Sequence, residues 1–264
     1  MKRLLLPLLV CCGLVLSAKE ESVIRTLDNR DMKVSSIRAL PDGSLEYTMA
    51  DGKIKSTMPR GKYIYAWIPK PKEIAAADIL LEANVPDKAA AAYRAAYEKY
   101  KLLGWDVYCI YRESEALARL GRRIEAVRKL DQLKDYKLIN TRLVPLLVAV
   151  KRLNAQLNID LGKYDSALAL LNEMTMGTDD ANAAFGFLKK GDILLRQGKK
   201  KEAALMYLQT VLLFRNVPER PEALYKLCTV LTETKDPNAA KFASMLKREY
   251  PDSSYTKILF PEKK

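Results

Sequence analysis

Hydrophobic and polar positions follow two different periods along this chain. Over residues 22–70, short segments rich in β-branched and aromatic residues alternate roughly between apolar and polar: SVIRTL, KVSSIRAL, SLEYTMA and KIKSTMP. Alternation of that kind turns one face of a strand toward a core. Turn-forming clusters separate the segments: Asp28-Asn29-Arg30-Asp31, Pro41-Asp42-Gly43 and Asp51-Gly52. Asp51-Gly52 predicts a two-residue hairpin turn, because both residue types tolerate positive φ. The region therefore predicts a four- or five-stranded antiparallel meander or small barrel. Ile68-Pro69-Lys70-Pro71 marks its end, since each proline disfavours helix in the residue before it.

From residue 72 the apolar period becomes helical, and it recurs. Ala89, Ala126, Ala167, Ala203 and Ala239 each lead an apolar ladder, such as Ala89-x3-Tyr93-x2-Ala96 and Ala203-x3-Tyr207-x2-Thr210. The alanines are 37, 41, 36 and 36 residues apart. Five units at nearly one period predict an array of stacked helical hairpins. Gly121, Gly162 and Gly198 each stand five residues before one of these alanines. Glycine there ends a first helix in the left-handed conformation, and the second helix starts at once. Twelve residues before the five alanines stand Ala77, Ser114, Ala155, Gly191 and Leu227. Four of these are small, as the crossing point of two helices requires.

This pattern resembles the tetratricopeptide repeat, a helix-turn-helix unit with a small residue in its first helix, glycine at the turn and Ala-x3-aromatic in its second. The fourth unit matches best, with Gly191, Gly198, Ala203 and Tyr207, and Tyr250-Pro251-Asp252-Ser253 supplies the terminal proline. The characteristic tryptophan of the first helix is absent. The resemblance implies a mainly α chain: a right-handed superhelix of about five hairpins preceded by the small β module. The expected organisation is a signal peptide over 1–18, the β module over 19–70, the α-solenoid over 71–254 and a tail over 255–264.

The N-terminus sharpens the setting. Lys2 and Arg3 precede an apolar run from Leu4 to Leu16, and Ser17-Ala18 is followed by polar chain. The run falls short of the about 20 residues a membrane span needs, so it predicts a cleaved export signal. Neither Cys11 nor Cys12 follows the small residue that a lipoprotein signal requires, which argues against a lipid anchor. Cys109 and Cys228 sit in apolar helical patterns and predict buried single thiols.

Charge and composition then limit the chemistry. Lysine and arginine number 45 against 32 acidic residues; without Lys2 and Arg3 the basic count is 43 and the net charge +11. The basic residues are dispersed and not interleaved with aromatics, so nucleic acid is not an expected partner. Histidine is absent, which removes imidazole-based catalysis and histidine-ligated metals. No cofactor or metal motif is present, and Asp179-Asp180 reads as a helix cap. The sequence predicts a non-enzymatic protein.

By register, the resemblance implies a concave groove lined by first helices, carrying Tyr108, Tyr111, Glu115, Arg119, Arg152, Gln156, Phe185, Lys189, Asp192 and Arg196. The implied role is binding a protein or peptide partner in the periplasm or cell envelope, with membrane association only through a lipid anchor or that partner. The family's lysine–asparagine clamp for a C-terminal carboxylate has no counterpart here. The competing expectation is a basic surface that binds an anionic envelope polymer or lipid head groups.

Overall fold

The computed structural model describes residues 21–261. The expected signal peptide, with Cys11 and Cys12, lies outside the described residues. The described residues divide into two compact units: one runs up to Pro71 and includes Leu102–Gly104, the other comprises Lys72–Lys101 and the described residues from Trp105 onward.

The first unit is a five-stranded antiparallel sheet of β1 (Ser22–Thr26), β2 (Asp31–Ala39), β3 (Leu45–Met49), β4 (Lys55–Met58) and β5 (Tyr63–Trp67). The spatial order is β4-β3-β2-β1-β5. Four strands thus form a meander and the fifth returns to pair with β1, placing Ala66 opposite Ile24. With β4 and β5 at opposite edges, the sheet is open and not a barrel. Ile24, Leu45 and Ala66 are almost completely buried.

The first three turns share one construction. Gly43 N–H bonds to Leu40 O, Asn29 N–H to Thr26 O and Gly52 N–H to Met49 O. In each, the donor residue has positive φ. Asp51-Gly52 is therefore not the centre of a two-residue turn. Ala50 and Asp51 occupy the central positions, Gly52 follows in the left-handed region, and Met49 N–H closes the wider loop onto Ile54 O. Left-handed backbone is needed one position later than the dipeptide suggested.

The second unit contains five helical hairpins: α1 (Lys72–Glu82) with α2 (Pro86–Tyr100), α3 (Asp106–Arg119) with α4 (Arg123–Leu130), α5 (Val144–Asp160) with α6 (Tyr164–Met176), α7 (Asp180–Arg196) with α8 (Lys200–Leu213), and α9 (Arg220–Glu233) with α10 (Ala239–Glu249). A short α11 (Ser254–Leu259) follows, started by Ser253, whose hydroxyl accepts from Tyr255 N–H. It falls mostly within the residues expected as a tail. Residues between α4 and α5 include two short 3-10 turns, and this longer connection accounts for the 41-residue spacing.

All five hairpin turns are built alike. The left-handed residue is Asn84, Gly121, Gly162, Gly198 or Lys235. In every case its N–H and that of the next residue bond back to carbonyls of the first helix, as in Gly121 to Ala118 and Arg122 to Leu117. That pairing satisfies the orphan carbonyls of a helix end. In the first four hairpins the following helix starts immediately, and Ala89, Ala126, Ala167 and Ala203 each donate to the residue four before. These four alanines are fully buried. The fifth hairpin departs from this register. Residues 237–238 form a separate turn, α10 begins at Ala239, and Ala239 is only half-buried. Phe242 and Leu246 take the inward positions of α10.

Candidate functional site

Polar contacts cross between first helices of neighbouring hairpins in two groups, α1 with α3 and α5 with α7 and α9. Arg119 on α3 donates to Leu81 O, the C-terminal turn of α1, at 2.7 Å. Arg196 on α7 donates to Ile159 O of α5 at 2.8 Å. These are one device used twice: a guanidinium at the end of one first helix satisfies a carbonyl at the end of the preceding one, where the helix dipole also favours positive charge. Each arginine also meets an acid, Arg119 with Glu115 at 2.8 Å and Arg196 with Asp160 at 3.2 Å.

Around Asp78 a cluster links α1, α2 and α3. Asp78 Oδ1 accepts from Tyr93 Oη at 2.6 Å and from Tyr108 Oη at 2.8 Å. Arg112 Nε lies 3.5 Å from the same oxygen, and its Nη1 is 2.7 Å from Glu115 Oε2. Burial, with Asp78 as hydrogen-bond acceptor, raises the Tyr93 hydroxyl pKa, so it stays a donor. Beside this cluster Glu113, 1% exposed, joins Arg94 of α2 and Lys129 of α4, each at 2.9 Å.

A second cluster spans α5, α7, α8 and α9. Asp192 accepts from Tyr207 Oη at 2.8 Å and from Lys226 Nζ at 2.7 and 2.8 Å. Lys226 also reaches Glu222 at 2.6 Å, and Lys189 lies 3.5 Å from Asp192 and 3.7 Å from Glu222. Burial alone would raise the Glu222 carboxyl, but Lys226 and Lys189 outweigh it, and its pKa lies below the usual value. Arg152 reaches from α5 to Asn182 on α7 and to Glu219 at the start of α9, both at 2.9 Å. Its guanidinium lies over the Phe185 ring at 4.9 Å, with Lys189 at 5.7 Å. Gln156 joins this region through Asp160.

The predicted groove residues therefore fall into two sets. Tyr108, Glu115 and Arg119 gather around α1 and α3; Arg152, Gln156, Phe185, Lys189, Asp192 and Arg196 gather around α5 and α7. Tyr111 lies on α3, half-buried, with its hydroxyl pKa raised by burial. Asp192, Lys189 and Glu115 are tied into internal ion pairs. Sequence reasoning missed Arg112, Tyr93, Tyr207, Glu222 and Lys226. A signal for the tyrosines was present: Asp78–Tyr93 and Asp192–Tyr207 share one spacing, each aspartate directly after the small crossing residue.

Small size at the crossing matters most at Gly191. A Cβ there would run into the Tyr207 ring where it now lies, although repeat 1 buries the equivalent Tyr93 with Ala77 at its crossing. Cys109 and Cys228 are free and buried, and burial pushes their thiols up to about 12 and about 11. Asp179 caps α7, its side chain accepting from Asn182 N–H at 2.7 Å. No helix among the described residues is long and apolar enough to cross a membrane.

No protein-family model matches the chain, and no curated relative does. Solved structures do match the helical unit. MamA residues 41–end from Desulfovibrio magneticus RS-1 aligns with 18% identity over 69% of this chain and 96% of that one, with a TM-score of 0.51. PilW, described as a widely conserved type IV pilus biogenesis factor, aligns with 16% identity over 71% and 80%, with a TM-score of 0.52. The apo form of RapI reaches a TM-score of 0.60 at 13% identity over 70% of this chain and 54% of that one. The helical unit has the tetratricopeptide-repeat fold. Its five hairpins are five such repeats, and both polar clusters lie where the first helix of one repeat meets the next.

Proposed function

We propose that the repeat array is a non-enzymatic scaffold that binds a protein or peptide partner across the first helices, and that the chain is exported to the periplasm or cell envelope. The observation that carries the binding role is the Phe185 platform with Arg152 and Lys189 over its ring, in line with Gln156 and Arg196. Aromatic and arginine side chains give large contact areas with directional hydrogen bonding. Their neighbours already pair the charges, so a partner meets a preorganised surface and pays little ordering cost. Tyr111 extends the surface onto repeat 2. The export reading rests on the pattern of residues 1–18, and the likeness to PilW, a pilus biogenesis factor, supports an envelope setting. The non-enzymatic reading rests on the absence of histidine and on cysteine thiols held far above neutral pH.

Site-specific photo-crosslinking in the native cell tests this role. A probe replacing Tyr111 should give a discrete protein adduct, and a control replacing the exposed turn residue Lys163 should give none. Adducts from neither site, or diffuse polymer from Lys163, would transfer the function to the dispersed basic surface.

A further inference from the structure

The helix α8 carries apolar residues on opposite sides. Ala203, Tyr207 and Val211 face the core, yet Leu205 and Leu212 on the opposite side are 57% and 60% exposed. A helix packed on one side only should be polar on the other. The outer stripe does not lie on a flat surface. Leu205 and Leu208 line a recess of about 600 Å³ that Leu231 and Phe242 complete from α9 and α10. Leu212 lines a second recess of about 610 Å³ with Met245 and Tyr250. The two recesses lie at opposite ends of α8, between it and α10. From Lys201 to Leu213 the track is about 18 Å long at helical rise, about three turns of a docked helix.

The rim of this track is basic. Lys200, Lys201 and Lys235 border the first recess with Asp236 as the one acid. Arg215 borders the second, where Glu249 is already paired with Arg220. Lys200 pairs with Glu233 at 3.0 Å, whereas Lys201, Lys235 and Arg215 form no ion pair among the described residues. An apolar floor with uncompensated positive charge at both ends suits an amphipathic ligand of opposite sign. A second copy of this chain, with its net charge of +13, would bring like charge to the patch.

We propose that the α8–α10 track is a second docking site, separate from the first-helix face, for an amphipathic helix of a partner protein whose polar side is acidic. A phage-displayed library of 16-residue peptides, selected on the full chain, tests it. Enriched peptides should carry apolar residues at i, i+3 or i+4 and i+7 with Glu or Asp between them. By fluorescence anisotropy they should bind at least tenfold more weakly to Leu205→Gln/Leu212→Gln and several-fold more weakly to Lys201→Glu/Arg215→Glu. Affinity should fall as salt rises and be unchanged in Tyr111→Ala. Both leucines are more than half exposed, so the glutamine variant should keep its helical circular dichroism; the charge variant reads the site independently if it does not. No enrichment, peptides without acidic residues or helical period, or full affinity for both variants would overturn the proposal. So would binding to phosphatidylglycerol vesicles that only the leucine variant loses, which would assign the track to a lipid surface.

Discussion

Repeats 1 and 4 share a tyrosine–aspartate couple that repeats 2 and 3 lack, and the two couples are completed differently. In repeat 1 the aspartate, Asp78, receives two tyrosine hydroxyls, from Tyr93 and Tyr108, with Arg112 at 3.5 Å. In repeat 4 Asp192 receives one, from Tyr207, and depends on Lys226 at 2.7 Å for its counter-charge. Repeats 2 and 3 put Leu130 and Leu171 where the tyrosine would be, and both are buried. The same fold thus tolerates a dry junction or a polar one. The polar junctions fall where the next repeat supplies a cation, Arg112 for Asp78 and Lys226 for Asp192, whereas buried Glu113 is paired both across a boundary by Arg94 and within its own hairpin by Lys129.

The contrast is broken most severely at the crossing residue. Gly191→Ala gains about 1 kcal/mol of helix propensity but forces a methyl group into the Tyr207 ring, and should lose about 2 kcal/mol net in urea unfolding. Adding Tyr207→Leu, which recreates the leucine of repeat 3, should recover most of that loss. If Gly191→Ala proves neutral, the ring is not held against the glycine.

The cations come next. Lys226→Met leaves Asp192 and Glu222 with tyrosine hydroxyls and, as cation, the more distant Lys189, and should cost about 2–3 kcal/mol. Arg112→Met leaves Asp78 its two tyrosine hydroxyls and should cost about half as much. Equal losses would show that the two junctions do not differ in the way their geometry indicates.

The two free thiols report each junction separately, because Cys109 adjoins Tyr108 and Cys228 adjoins Leu227. Burial holds both thiols high, so at pH 8 the native protein should react with a disulfide reagent only as fast as it opens. Tyr207→Phe should accelerate Cys228 labelling severalfold and leave Cys109 unchanged; Tyr93→Phe should do the reverse. Common acceleration of both thiols would mean the array opens as one cooperative unit.

The smallest effect is on pH. Because the Glu222 pKa is depressed in the folded protein, its stabilising contribution is complete above its ordinary value of 4.5 and is lost as pH falls through the lower folded value. The stability difference between the native chain and Glu222→Gln should therefore be constant from pH 8 to 6 and shrink toward zero in the acid range. A difference that grows on acidification would contradict the Lys226 pairing.

Much of the fold was readable from residues alone. The alanine ladder and the glycine turns located all five hairpins and the register of the first four, because a buried crossing point and a left-handed turn each restrict residue type sharply. Asn84 and Lys235 escaped notice, since the left-handed position is not confined to glycine. The register slip at Ala239 escaped as well, because it depends on where α10 actually starts. The pairing of β5 with β1 is a long-range choice that no local pattern encodes. For the candidate site, register identified which helices share a face. It did not reveal that Asp192 and Lys189 face neighbours as well as solvent, because Lys226 and Glu222 arrive from the next repeat.

The central claim is that the first-helix face is where a partner lies, and a photo-crosslinker scanned through successive positions of α7 tests it most directly. Adduct yield to a single protein should follow the helical period, peaking at Phe185, Lys189 and Arg196 and falling away at Phe187 and Lys190. A flat profile, or peaks on the other side of α7, would contradict the account.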